Sequence, residues 1–198
     1  MAVDIAEIKR LRELTGVGMT DAKKALEAAE GDFDKALAEM RKKGMTKAEK
    51  SAAREARAGV VSSYVHDNRI GVLLEVNCET DFVARNEKFT DFVKDVAMHI
   101  AASAPLYVTS EEIAAEERAR VEAEFTEKVT NEGKPADMVP KIVEGMVKKY
   151  FAERCLVDQP YIKNPDQTVG DYIKENIAQL GENLVVRRFS RMAIGEVA

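Results

Sequence analysis

The residues of this chain best suited to covalent chemistry are two thiols and two imidazoles: Cys78, Cys155, His66 and His99. A cysteine hydrolase would pair Cys78 with one of the histidines, a nucleophile beside its base. His66 falls in a turn, His99 on a helix, and no third group stands ready to orient either ring, so both thiols are expected to be small buried side chains. Phosphate chemistry lacks its scaffold, since neither Gly-x-x-x-x-Gly-Lys-Ser/Thr nor Gly-x-Gly-x-x-Gly occurs. Zinc lacks its ligands, since there is no His-x-x-x-His pair and no cysteine cluster. No metal and no cofactor is expected, and the chain reads as a binding protein rather than an enzyme.

A different chemistry stands at Asn77-Cys78-Glu79-Thr80-Asp81-Phe82-Val83-Ala84-Arg85-Asn86. This segment follows a strand and precedes a helix, so two regular elements hold it at its ends. It sets Phe82 beside Asp81, an apolar wedge next to a fixed acid. Thr80 or Asp81 could equally cap a helix while Phe82 plugs the core beneath. Spacing alone does not make the segment an interaction site.

The flanking elements follow from periodicity. Gly59–Val65 and Ile70–Val76 read as strands, and His66-Asp67-Asn68-Arg69 joins them with good turn chemistry, giving a hairpin. Glu87–Ser103 reads as a helix burying Phe89, Phe92, Val93, Val96 and Ile100 and ending at Pro105. Residues 110–155 form two amphipathic helices, Ser110–Asn131 and Ala136–Arg154, with stripes Ile113/Val121/Phe125/Val129 and Val139/Ile142/Val143/Met146/Tyr150/Phe151. The turn at Glu132–Pro135 makes them an antiparallel helical hairpin. After an irregular stretch at Gln159–Pro165, a helix is expected over Thr168–Leu180. A strand over Asn183–Met192 is expected to pair beside the first hairpin.

The first 44 residues read as three short helices. Asp4, with Glu7 three residues on, starts the first, striped by Ile5, Ile8, Leu11 and Leu14. Thr15-Gly16-Val17-Gly18 breaks it. Thr20 is expected to cap the second, which carries Ala22, Ala25, Leu26 and Ala29. Asp32 is expected to cap the third, with Phe33, Ala36, Leu37 and Met40 inward and Gly44 ending it. The expected fold is α+β. A three-helix module over 1–44 is similar to the ubiquitin-associated fold. A basic linker or helix over 45–56 follows, and then a core over 57–198, where a small antiparallel sheet packs on helices.

Bulk properties bound the function. The chain has 198 residues, is 33% charged and carries a net charge of −5, which disfavours broad nucleic-acid binding. Arg41, Lys42, Lys43, Lys47, Lys50, Arg54 and Arg57 form a local basic cluster, read as a solvated helix face. No run approaches the ~18 apolar residues of a membrane helix, and the acidic N-terminus lacks a signal pattern. A cytoplasmic protein with no membrane and no direct nucleic-acid contact is expected.

Two long segments, Thr15-Gly16-Val17-Gly18-Met19-Thr20-Asp21-Ala22-Lys23-Lys24-Ala25-Leu26 and Glu75-Val76-Asn77-Cys78-Glu79-Thr80-Asp81-Phe82-Val83-Ala84-Arg85-Asn86, resemble the two signatures of the elongation factor Ts family. Lys141–Met146 and Val169–Tyr172 are similar to further segments of it, so the resemblance covers nearly the whole chain. It implies a guanine nucleotide exchange factor of translation elongation. Val17, Gly18 and Met19 would dock on the nucleotide-binding domain of elongation factor Tu. Thr80, Asp81, Phe82 and Val83 would push between two helices there, dislocate the magnesium ion and release GDP. Many members carry Met-Met where this chain has Met19-Thr20, and Cys where it has Ala22, changes expected to alter docking strength. Long members carry a duplicated core portion. This chain holds one unit, so a homodimer through the 110–155 hairpin is expected. The rival reading is a ubiquitin-associated-type adaptor without exchange activity, which leaves 80–83 and the hairpin unexplained.

Overall fold

A computed structural model describes residues 3–15, 17–51 and 53–196, without the side chains of 13, 41 and 43–50. Most of the basic cluster (Arg41, Lys43, Lys47 and Lys50) therefore lies outside the described side chains. The fold is α+β. Among the described residues, no helix is long and apolar enough to cross a membrane.

Three helices open the chain: α1 (Ile5–Thr15), α2 (Met19–Ala28) and α3 (Phe33–Ser51). They enclose a small core of Ile8, Leu11, Ala22, Ala25, Leu26, Ala29, Ala36 and Met40. Ile5 and Leu14, expected on its stripe, are instead 65% and 48% exposed. At about 100° per residue, positions nine apart point to opposite sides of a helix, so only the middle pair of four i,i+3 residues faces inward. Asp4 Oδ1 accepts from Ala6 N–H (3.0 Å) and Asp32 Oδ1 from Lys35 N–H (3.0 Å), capping α1 and α3. α2 starts one residue ahead of the expected cap. Gly18 occupies the cap position with no side-chain bond, and Thr20 sits in the first turn.

Gly44 does not end α3, which runs on to Ser51 and packs against a later helix, α8 (Val169–Leu180). A helical glycine costs only about 1 kcal/mol relative to alanine, which tertiary packing of the following turns offsets.

The main sheet has the order β1-β2-β5, antiparallel throughout: β1 (Ala58–His66), β2 (Ile70–Cys78) and β5 (Val185–Ala193). The turn joining β1 to β2 places Asp67 (φ 48°) and Asn68 (φ 54°) in the left-handed region, the geometry whose twist matches a hairpin. Gly59 is required by contact as well as conformation. Its φ is +147°, and a Cβ there would stand 2.3 Å from the Val76 carbonyl oxygen on the paired strand. One face of β2 buries Val72, Leu74, Val76 and Cys78 against Phe89, Phe92, Val93, Val96 and Ile100 of α5 (Glu87–Ser103). The opposite face leaves Val61, Val65, Leu73 and Met192 exposed.

The helical hairpin is α6 (Ala115–Asn131) and α7 (Val139–Ala152), both starting later than expected. A 3₁₀ turn takes up Ser110–Glu112, and Pro140 lies in the first turn of α7, where its missing N–H forfeits no helical bond. Ile113, Val121, Phe151 and Cys155 form a core of their own here. Phe125 and Tyr150 meet edge to face at 5.7 Å, and the Arg154 guanidinium lies 3.5 Å over the Tyr150 ring.

The stretch read as irregular forms a ribbon, β3 (Pro160–Tyr161) with β4 (Asn164–Thr168). Tyr161 and Tyr172 stack at 4.3 Å, and both hydroxyls donate to Asp95 Oδ2 on α5 (3.0 and 3.2 Å). Thr168 and Asp171 form a capping box at the start of α8.

Candidate partner-docking site

β2 delivers the chain to Cys78, and a single helical turn follows, α4 (Asp81–Ala84). The turn exists because Thr80 caps it: Val83 N–H donates to Thr80 Oγ1 at 3.4 Å. Asn86 then caps α5 by accepting from Lys88 N–H at 2.9 Å. Two consecutive caps with only five residues between them leave the intervening backbone little freedom.

Phe82 points outward. Its side chain is 90% exposed, the highest value among the exposed large hydrophobics of the described residues. Capping by Thr80 thus occurs as anticipated, whereas burial of the Phe82 ring does not. Asp81 is exposed beside it, Val83 is half-buried against the main core and Ala84 is buried beneath. Withholding a Phe from burial forgoes roughly 1.5–3 kcal/mol.

A network braces the turn from behind. Glu182, just after α8, accepts from Glu79 N–H (3.1 Å) and Thr80 N–H (3.0 Å) on Oε2, and from the Thr80 hydroxyl (2.6 Å) on Oε1. Glu79 Oε1 in return accepts from Asn183 N–H at 2.6 Å and from Arg54 Nη1 at 3.3 Å. The Cys78 thiol donates to the Thr80 carbonyl at 3.2 Å. Burial, reinforced by the Glu182 carboxylate, pushes that thiol up from its ordinary range, so it is held as a neutral donor. Sequence reasoning missed Glu182 and Arg54 as supports. They lie 102 and 25 residues from the segment, and no local pattern marks them.

The hydrolase arrangement is not assembled. His99 Nε2 pairs with Gln159 Oε1 at 2.9 Å, while its Nδ1 accepts from Ile162 N–H at 3.2 Å. That pattern places the proton on Nε2, and burial pushes the imidazole down from 6.5. Gln159 Nε2 donates onward to the Glu153 carbonyl at 2.8 Å, so the pair ties α5 to the end of α7. His66 lies against Tyr64 in the sheet turn, its Nδ1 3.1 Å from the Tyr64 hydroxyl. Both free cysteines are buried. Among the described residues, no group of three or more His, Cys, Asp or Glu is placed to hold a metal ion.

Val17 and Gly18 lead into α2, and Met19 is its first residue. Val17 packs against the N-terminal core, Gly18 is exposed and Met19 is 40% exposed. The two expected contact sets therefore rest on separate cores, Val17 on the small alanine-rich one and Val83 on the sheet.

Comparison with known proteins covers nearly the whole chain. Residues 8–196 match the family described as Elongation factor TS. The elongation factor Ts of Geobacter sp. (strain M21) is 49% identical over 197 residues, spanning 99% of this chain and 91% of its own. That of Alkaliphilus metalliredigens is 51% identical over 196 residues with the same coverage. That of Thermodesulfovibrio yellowstonii is 49% identical, and this chain covers 98% of it. With the match running from α1 to the end of β5, the chain belongs to the elongation factor Ts family of translation elongation factors.

Proposed function

We propose that the protein binds elongation factor Tu in its GDP-bound state and promotes GDP release, making and breaking no covalent bond itself. The observation that carries this reading is the outward Phe82, 90% exposed on a turn that Thr80 caps and that the Asn86 cap of α5 follows. An aromatic ring carried into solvent by a braced turn, beside an acid, is suited to entering a partner's crevice. In this reading Thr80, Asp81, Phe82 and Val83 wedge apart a pair of helices near the nucleotide. The magnesium ion that neutralises the β-phosphate is lost, and GDP leaves with its charge uncompensated. Val17, Gly18 and Met19 supply a second contact on the same domain.

Magnitudes favour shared work. Each tenfold acceleration requires about 1.4 kcal/mol, and burying one Phe yields roughly 1.5–3 kcal/mol. Phe82 accordingly supplies about one or two powers of ten, with the rest coming from docking and the departed cation. By linkage, GDP and this protein weaken each other's binding to elongation factor Tu equally. Nucleotide rebinding then expels the factor.

Release of a fluorescent GDP from elongation factor Tu, followed with wild type and with Phe82→Ala, tests the reading. No acceleration by wild type overturns it and favours an adaptor that binds without exchange. The proposed setting is the cytoplasm, without membrane or nucleic-acid contact.

A second copy is the proposed occupant of the groove along the helical hairpin, lined by Arg118 and Glu122 on α6 and by Val139, Val143, Val147 and Lys148 on α7. Its apolar floor and rim charges of both signs support this, because two copies can meet with opposite charges facing. Mass measured against concentration tests it. A dimer that survives Val147→Glu but not Leu73→Glu moves the contact to the open face of the sheet.

A further inference from the structure

We propose that Glu182 is a positioning residue for the wedge, fixing the direction in which Phe82 points; this rests on the reading of Phe82 as the group that enters the partner. With its ring in solvent, Phe82 takes its direction from the backbone that carries it. That backbone is anchored through Thr80, and Thr80 is anchored through Glu182.

The geometry is specific. Gly181 stops α8 in the left-handed conformation (φ 78°), which turns the chain sharply and presents Glu182 to the end of β2. Its two carboxylate oxygens take three donors from two adjacent residues: the N–H groups of Glu79 and Thr80 and the Thr80 hydroxyl. Bonds to an ionised acceptor are shorter and stronger than neutral ones, as the 2.6 Å hydroxyl contact illustrates. The Thr80 hydroxyl hands the restraint forward, because its oxygen also accepts from Val83 N–H. The backbone at Phe82 thus lies in sequence between two residues, Thr80 and Val83, tied directly and through one oxygen to a single side chain.

The clasp is also reciprocal. Asn183 N–H returns a bond to Glu79, Asn183 Nδ2 donates to the Arg54 carbonyl (2.8 Å), and Arg54 Nη1 reaches the Gly181 carbonyl (3.3 Å). The loop after β2 and the loop after α8 are therefore cross-linked twice in opposite senses. Sites that act by geometry require their carriers held within about 0.5 Å. A charged clasp tied to backbone groups provides that stiffness without covering the ring.

The experiment uses the full chain and elongation factor Tu loaded with fluorescent GDP, with wild type, Phe82→Ala, Glu182→Ala, Glu182→Gln and the double variant Phe82→Ala/Glu182→Ala. Glu182→Ala is expected to lower the maximal release rate about tenfold, as loss of alignment does. The concentration giving half the maximal effect should move less than about twofold, since the Val17–Met19 contact is untouched. In the Phe82→Ala background the same substitution should change the maximal rate no further, which a general loss of structure would not reproduce. Glu182→Gln keeps the length and one acceptor oxygen, so its rate should fall between wild type and Glu182→Ala. If Glu182→Ala fails to fold, Glu182→Gln carries the same comparison. A wild-type maximal rate in the folded variant, or an equal loss with and without Phe82, overturns the inference alone. A wild type that does not accelerate release overturns the exchange reading and this inference with it.

Discussion

The Val17–Met19 loop and the Thr80–Val83 turn both expose an apolar side chain at the start of a helix, but they are built differently. The first begins at Gly18, with no side-chain cap, above a core in which four of the eight buried residues, among those described, are alanines. The second is capped by Thr80 and followed by the Asn86 cap, braced by Glu182 and seated on a core holding Phe89, Phe92 and Ile100. A contact that only holds a partner tolerates compliance, because affinity is gathered after the loop adapts. A contact that must displace something cannot yield, since any softness in the perch is work not delivered to the target.

The sharpest way to break the comparison is at the two exposed side chains. Phe82→Ala should cut the acceleration of GDP release by about tenfold to a hundredfold. Its melting temperature should stay near wild type, because a ring 90% exposed contributes little to folding. Met19→Ala should raise the concentration needed for half-maximal release by a few-fold while leaving the maximal rate. If the two variants show the same pattern, the division between holding and displacing fails.

Gly59→Ala attacks the perch through the strand beneath it. A Cβ there meets the Val76 carbonyl at 2.3 Å, so urea unfolding should show a loss of more than about 1 kcal/mol.

The smallest expected effect is acid sensitivity. His99 is buried and neutral, its pKa lowered from 6.5 by desolvation. The folded state binds that proton less readily than the unfolded one, so the stability is complete above about 6.5 and is lost as pH falls toward the folded value. Protonation would also set an N–H on Nδ1 against the Ile162 N–H. Urea midpoints between pH 7 and 5 should decline, and His99→Gln should flatten the decline. The three N-terminal helices contain no histidine, so probes there should report acid loss only through the core.

Much of the frame was legible because long periodic segments carry their own evidence. α5 spans Glu87–Ser103 as its apolar spacing predicts, and the Asp67-Asn68 turn and third strand pair as expected. Single-turn features were not. α4 has four residues, too few for any period to say whether Phe82 faces in or out. The resemblance named 80–83 as the segment to watch, but the ring's exposure required the fold. Gly44 misled because a glycine's local cost is smaller than what the packing of α3 on α8 returns. Glu182 was invisible because its partners are brought to it by topology, across 102 residues of chain.

The two thiols report on this architecture without engineering. Cys78 lies under the braced turn and Cys155 at the base of the helical hairpin, both inaccessible and pushed up by burial away from the reactive thiolate form. An alkylating reagent can reach either sulfur only when its own neighbourhood opens, so labelling rates at the two sites separately time the breathing of the sheet core and of the helical arm.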